Sequence, residues 1–155
     1  MSATAPARLA SQPRATLASF ADIEARIDSI IARPGEPEAS AEALLQLAEQ
    51  VLARWVEARG EVPTSEQKEG FRLLALHRQG ARGDPSFNAC RETCRELAYH
   101  HNLIRLEPAH TDREKRVRLA ARVAKHLTLF VSGKMQVAGL GEFCCAAKPL
   151  RVGDK

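Results

Sequence analysis

Aromatic residues are scarce in this chain, which has one Trp, one Tyr and five Phe among its 155 residues. A folded core must therefore be mostly aliphatic, and the abundant Ala, Leu, Glu and Arg are strong helix formers. Long apolar runs are also missing, because the longest, Leu127–Val131, is far shorter than the roughly 20 residues that cross a bilayer. These two deficits predict a helical protein that does not insert into membranes.

The sequence also lacks the motifs of common enzyme classes. It has no Gly-rich phosphate loop, no G-x-S-x-G nucleophile elbow and no H-E-x-x-H metal motif. A C-x-x-C pair, which zinc ribbons and thioredoxin-like proteins carry, is missing too. We therefore expect a protein that is not an enzyme.

Four cysteines are present, but the first residues do not form the continuous apolar segment of a secretory signal. Thiols in such a chain are expected in a reducing compartment, where they serve as core side chains, ligands or redox groups. We therefore predict a cytoplasmic location. Residues 1–15, interrupted by Pro6 and Pro13, are expected to form a flexible tail, with an organellar transit peptide as the alternative.

Apolar residues recur at three- and four-residue steps along the chain, and no strand pattern competes with them. This spacing predicts an all-α fold, a single-domain bundle of about five helices within residues 16–132. An irregular C-terminal segment, residues 133–155, is expected to dock on the bundle. The first predicted helix begins at Leu17 or Phe20 and ends at Ala32, and the others are residues 41–59, 65–78, 85–105 and 112–131.

Capping residues mark the ends of these helices. The predicted N-caps are Ser19, Ser40, Thr64, Asp84 and Thr111. Gly60 is expected to end the second helix, because glycine adopts the left-handed conformation that commonly follows a helix.

The fourth predicted helix carries the most unusual chemistry. At about 100° per residue, Cys90, Cys94 and His101 lie within about 40° of one another around the helix. They also belong to a regular apolar seam, which favours packing in the core. The seam consists of Phe87, Cys90, Cys94, Leu97, His101 and Ile104. We do not expect a Cys90–Cys94 disulfide, because helical Cβ atoms four residues apart are separated by about 5–6 Å.

A second pair of thiols, Cys144 and Cys145, lies near the end of the chain. If this segment docks on the fourth helix, the two thiols would join Cys90, Cys94 and His101 in a site for a thiophilic metal ion or in a redox-responsive cluster. The alternative is that one cysteine anchors the segment in a groove and the other has no role. Core packing is the favoured interpretation of the cysteines, and the metal site is a hypothesis beside it.

The fifth predicted helix presents a basic stripe, which consists of Lys115, Arg118, Arg122 and Lys125. Such a stripe can contact nucleic-acid phosphates or an acidic partner. No aromatic residues interleave with it for base stacking, so a solvated helix face is the favoured interpretation.

Regular bundle patterning without a catalytic motif predicts a small helical accessory protein that acts through protein–protein contacts. The partner is another protein or a second copy of the chain, which would make a homodimer. The first alternative is a metal- or redox-responsive accessory protein that uses the Cys/His cluster. The second alternative is nucleic-acid binding through the basic stripe.

Overall fold

The computed structural model describes residues 19–109 and 111–140, and five α-helices lie within them. They are α1 (Phe20–Ala32), α2 (Pro37–Ala58), α3 (Arg72–Ala81), α4 (Arg91–Leu106) and α5 (Arg113–Ala138). A 3₁₀ helix, Pro85–Cys90, leads directly into α4. The described residues include no β-strand, so the predicted all-α fold is confirmed. None of the described helices combines the length and apolar character needed to cross a bilayer.

Helices α2 and α5 form the centre of the bundle. Helix α5 packs against α1, α2 and α4, and α2 also contacts α1, α3 and α4. The core between them is aliphatic, as the composition predicted, and its fully buried side chains include Ile23, Leu44, Leu52, Leu97 and Leu127. Because burying one such side chain stabilises the fold by about 1.5–3 kcal/mol, the three- and four-residue spacing determines which helix faces meet.

The first helix begins at the predicted N-cap, where Ser19 Oγ accepts a hydrogen bond of 3.0 Å from the Asp22 amide.

The predicted start of the second helix was wrong by one turn. Glu36 is its N-cap and accepts a bond of 2.7 Å from the Ala39 amide, and Pro37 occupies the first turn. Ser40 instead donates its hydroxyl to the carbonyl of Pro34.

The predicted start of the third helix at Ser65 is also wrong. Lys68 and Phe71 exchange two backbone hydrogen bonds of 3.0 Å across a tight turn. Both central residues of this turn have positive φ, 55° at Glu69 and 86° at Gly70, which no α-helix can include. Thr64 Oγ1 accepts from the Glu66 amide, two residues on, and no helix follows it directly, so its predicted capping box does not form.

The fourth predicted helix divides into two parts. The Phe87 amide donates to the Asp84 carbonyl at 2.9 Å, a three-residue bond that starts a 3₁₀ turn instead of an α-helix. Asp84 makes no side-chain cap, because its carboxylate accepts from Ser86 Oγ at 2.6 Å and pairs with Lys134 at 3.2 Å.

The last helix differs from its prediction at both ends. Its N-cap is Asp112 and not Thr111, and it continues past Val131 to Ala138. Gly139 then ends it with a φ of 71°, the left-handed conformation expected of a C-terminal glycine. Of the segment predicted to be irregular, residues 141–155 lie outside the described part of the chain.

A stack of aromatic rings joins α2, α3 and the 3₁₀ helix. The Trp55 and Phe87 rings are 4.8 Å apart between centroids and nearly parallel, at 7°. Trp55 Nε1 donates to the Gly80 carbonyl at 2.9 Å, and Arg59 donates to the same oxygen at 2.7 Å. A Cβ atom on Gly80 would lie only 2.8 Å from Trp55 Cδ1, so this position in α3 requires glycine.

We predict that Gly80→Ala lowers the free energy of unfolding by about 1–3 kcal/mol, because the new methyl group overpacks a fixed ring. The matched control is Gly133→Ala in α5, where a Cβ would meet no described atom within 4 Å. There the better helix propensity of alanine should add about 0.5–1 kcal/mol. Chemical denaturation of both variants tests the contrast, and equal effects of the two substitutions would contradict the proposed close approach.

Candidate functional sites

The first candidate site is a buried cluster of two thiols and one imidazole. Cys90 ends the 3₁₀ helix, Cys94 lies in the first turn of α4, and His77 projects from α3. All three side chains are buried, with exposed fractions of 1%, 0% and 5%. Cys94 lies one helical turn after Cys90, and Cys90 and His77 contact the same backbone atom, the Phe87 carbonyl oxygen. We call these residues the thiol cluster.

The carbonyl of Phe87 is the fixed acceptor of this cluster. Cys90 Sγ donates to it at 3.3 Å, and His77 Nε2 lies 3.1 Å from it. The His77 ring also stacks on the Phe87 ring at 5.4 Å between centroids. Phe87 therefore lies between Trp55 and His77 and positions the imidazole beside Cys90.

The two thiols of the cluster ionise differently. The hydrogen bond from Cys94 lowers the pKa of Cys90 to about 6, burial opposes this effect, and His77 adds to it. The pKa of Cys94 is raised well above its ordinary value by its bond to Cys90, by burial and by the Cys90 charge. Cys90 is therefore the thiol that becomes a thiolate first, which makes it the stronger nucleophile.

The predicted metal-site residues do not come together in the described part of the chain. Cys90 and Cys94 are free thiols in the core, whereas His101 lies beside Glu42 at 3.2 Å. No group of three or more His, Cys, Asp or Glu among the described residues is arranged to hold a metal ion. Cys144 and Cys145 lie outside the described residues.

The second candidate site is a pocket of about 540 Å³ around His101. Its lining comes from α2, α3, α4 and the turn before α3, and consists of Glu42, Leu45, Glu49, Gln67, Glu69, Gly70, Phe71, Arg72, His101, Asn102 and Arg105. We call this the His101 pocket. The imidazole meets the Phe71 ring edge-on at 5.6 Å, and its Nδ1 atom is buried without a hydrogen-bond partner among the described residues.

The acidic residues of the His101 pocket are paired within the fold. Glu42 contacts His101, Glu69 pairs with Arg95 at 3.2 Å, and Glu49 lies 3.6 Å from Arg72. Burial raises the pKa of the Glu49 carboxyl, although the Arg72 guanidinium lowers it in part. The carboxylates of this pocket therefore already have cationic or imidazole partners.

The donors at one side of the His101 pocket are not paired. Gln67, Asn102 and Arg105 are exposed, and within the described residues none of their side chains forms a hydrogen bond or an ion pair. Arg105 lies in the last turn of α4. Arg105 is thus a cationic side chain of this pocket without a partner among the described residues, which suits an anionic group.

The predicted basic stripe is partly neutralised by α1. Lys125 pairs with Asp28 at 2.8 Å, and Arg118 donates to the Ile31 carbonyl at 2.9 Å. Lys115 and Arg122 are exposed, and their side chains make no hydrogen bond or ion pair within the described residues. The stripe therefore offers fewer unpaired charges than its sequence indicates.

Sequence reasoning missed His77, Arg105 and the pocket. His77 directly follows the buried run Leu73–Leu76 and lies four residues after Leu73, which places it on the apolar face of α3. This position was the signal in the sequence that could have identified His77 as a buried imidazole. Nothing in the sequence paired it with Cys90, since that contact depends on the tertiary packing of α3 against the 3₁₀ helix. The approach of Glu42 to His101 likewise joins residues far apart in the chain.

Comparison with protein-family models, with curated proteins and with solved structures yielded no match for this chain.

We predict that Cys90 titrates near pH 6 in the folded protein. In a background protein that carries Cys144→Ser and Cys145→Ser, the ultraviolet absorbance of thiolate should rise with a midpoint near pH 6. This transition should be absent when Cys90→Ala is added. In Cys94→Ala the midpoint should increase, because the main hydrogen bond to the thiolate is removed. A single transition near the ordinary pKa of 9.0 in the background protein would contradict the described cluster.

The same shift links pH to stability. The folded protein releases the Cys90 proton at a lower pH than the unfolded chain does, so the Cys90 contribution to stability grows between pH 6 and pH 9.0. This contribution is complete above the unfolded value and is lost as the pH falls through about 6. Chemical denaturation of the background protein and of its Cys90→Ala form between pH 6 and pH 9.0 measures how the Cys90 contribution to the free energy of unfolding changes with pH.

Proposed function

We propose that this protein is a small, non-enzymatic helical interaction protein that binds a carboxylate-bearing segment of a partner protein in the His101 pocket. The observation that carries the proposal is the imbalance within this pocket. Glu42, Glu49 and Glu69 are paired within the fold, whereas Arg105 is not.

Arg105 suits a carboxylate because the guanidinium group presents donors in a planar fork that matches the two carboxylate oxygens. The amides of Asn102 and Gln67 line the same pocket and add neutral donors. A partner that brings an Asp, a Glu or a chain-terminal carboxylate would satisfy these donors without displacing any ion pair of the fold.

The size and lining of the pocket favour a peptide segment. A volume of about 540 Å³ lies within the range of ligand sites, which is about 300–1,000 Å³. Apolar small molecules bind in sites lined mainly by hydrophobic side chains. This lining is mostly polar, with Leu45 and Phe71 as its apolar members, so a short charged segment of a protein fits it better.

The other predicted functions have less support from contacts in the described residues. Nucleic-acid binding would rely on the basic stripe, in which Lys125 and Arg118 already have partners in α1. A homodimer is a special case of the proposal, with the second copy supplying the carboxylate.

The proposal is tested by selecting displayed random peptides on the immobilised full-length chain. We expect the enriched peptides to contain Asp, Glu or a free terminal carboxylate. Arg105→Glu should weaken their binding by about tenfold or more, since a repulsive charge replaces a charge-assisted hydrogen bond worth about 1.5–3 kcal/mol. Fluorescence anisotropy with labelled peptides measures the affinity.

The matched control is Arg26→Glu, which makes the same charge change at an exposed arginine of α1. It should leave peptide affinity within about twofold, since its screened charge lies outside the pocket. Three results would count against the proposal. They are enriched peptides without an acidic bias, peptides that the Arg105→Glu protein binds equally well, and a failure to enrich any peptide. Light scattering of the free protein shows whether a second copy is the partner.

A further inference from the structure

We infer that the segment bound in the His101 pocket also places an apolar side chain in a second pocket beside Tyr99, so that a carboxylate and an apolar residue are recognised together. This inference deepens the proposed function and rests on it, because it takes the carboxylate to be held by Arg105. The occupant is a segment of another protein, which would carry the two residues at a fixed spacing.

The second pocket has a volume of about 220 Å³ and adjoins the first. Three residues line both pockets, namely Glu69, Phe71 and Asn102. The remaining lining of the second pocket comes from α3 and α4, and consists of Leu74, Arg95, Ala98 and Tyr99. We call this the Tyr99 pocket. Because the two pockets share part of their walls, they form one continuous groove.

The Tyr99 pocket has an apolar floor and a polar rim. Leu74 and Ala98 are buried, with exposed fractions of 6% and 5%, and Phe71 packs against the core as a partly buried ring. On the rim, Glu69 and Arg95 pair with each other at 3.2 Å. An apolar centre surrounded by polar residues is the usual arrangement of a protein–protein interface.

Helix α4 exposes two large apolar side chains beside this groove. Tyr99 is 59% exposed, and Leu106, seven residues later, is 76% exposed. Seven residues return an α-helix to within about 20° of the same direction and advance it by about 10 Å, so the two side chains lie on one side of α4. A partner segment along this side would remove both from water, which favours binding.

The geometry of α4 determines the spacing of the two recognised residues. Tyr99 and Arg105 are six positions apart on this helix, which is about 9 Å along its axis. Their side chains also point about 120° apart around it, which adds a lateral offset. An extended segment advances about 3.3 Å per residue, so we expect the apolar residue about three to five positions from the carboxylate.

The Tyr99 pocket suits a single apolar side chain. Its volume of about 220 Å³ is below the range of about 300–1,000 Å³ in which whole ligands bind. A charged side chain would be buried against Leu74 and Ala98 at a cost, because Glu69 and Arg95 already neutralise each other. Together with the unpaired charge of Arg105, this lining selects a segment that carries both an acid and an apolar residue.

The test uses the peptide selection on the immobilised full-length chain. We expect the enriched acidic peptides to share an apolar residue, such as Leu, Met or Phe, about three to five positions from the carboxylate. Replacing this residue by Ser in a labelled peptide should weaken binding by about tenfold, because the burial of one apolar side chain is lost. Fluorescence anisotropy measures both affinities.

A variant of the protein locates the apolar residue. Tyr99→Ala should weaken binding of the parent peptide by about fivefold or more, since a large aromatic side chain covered by a partner is typical of interface hot spots. In this variant, the replacement by Ser in the peptide should have an effect at least about threefold smaller than in the parent protein, because the two residues no longer contact.

The matched control is Leu129→Ala, which truncates a 51% exposed apolar side chain of α5 that lines neither pocket. It should leave peptide affinity within about twofold, because surface substitutions away from a site change free energies by about 0.5 kcal/mol or less. Circular dichroism of each variant establishes that the comparison is made between folded proteins.

The outcomes separate this inference from the proposed function. Enriched peptides without an acidic bias would contradict the proposed function and this inference with it. Acidic peptides that depend on Arg105 but share no apolar residue, or that bind Tyr99→Ala as tightly as the parent protein, would overturn the inference alone. So would a different occupant of the groove, either a peptide of residues 1–18 or 141–155 that binds there, or a dimer that Tyr99→Ala dissociates.

Discussion

The ring of Phe87, held between Trp55 and His77, is the contact on which the thiol cluster depends. It stacks on Trp55 at 4.8 Å and on His77 at 5.4 Å, and so joins α2, α3 and the 3₁₀ helix at one point. Stacked aromatic pairs contribute about 0.5–1.5 kcal/mol beyond their buried area. In a chain with few aromatic residues, this stack fixes the 3₁₀ helix and thereby the position of Cys90.

The two candidate sites share the helices that carry them. Helix α2 supplies Trp55 to the stack and Glu42 to the His101 pocket, and α4 supplies Cys94 to the thiol cluster and His101 to the pocket. Each site is completed by residues from outside these helices, His77 in one case and Phe71 in the other. The bundle therefore provides a common rigid support, while α3 and the segments flanking it give each site its particular chemistry.

Periodicity predicted the helices and their buried faces well, because side-chain burial depends on local spacing. The seam from Phe87 through Cys90, Cys94 and His101 to Ile104 is buried throughout, and Ser19 caps α1 as expected. The start of α3 could not be predicted in this way, since it depends on the positive φ of Glu69 and Gly70. The thiol cluster escaped prediction for a different reason: it requires a tertiary contact from His77, and a single sequence does not record which helices meet.

The central claim is that packing around Phe87 places His77 and Cys94 beside Cys90. The most direct measurement is a set of nuclear Overhauser effects in the reduced protein, with Trp55 as a unique reference signal. The account predicts strong effects from the Trp55 indole protons to the Phe87 ring and from the His77 ring to both Phe87 and Cys90. Two results would contradict the account. One is an effect between Trp55 and Phe87 without any between His77 and Cys90, and the other is the absence of any effect between Trp55 and Phe87.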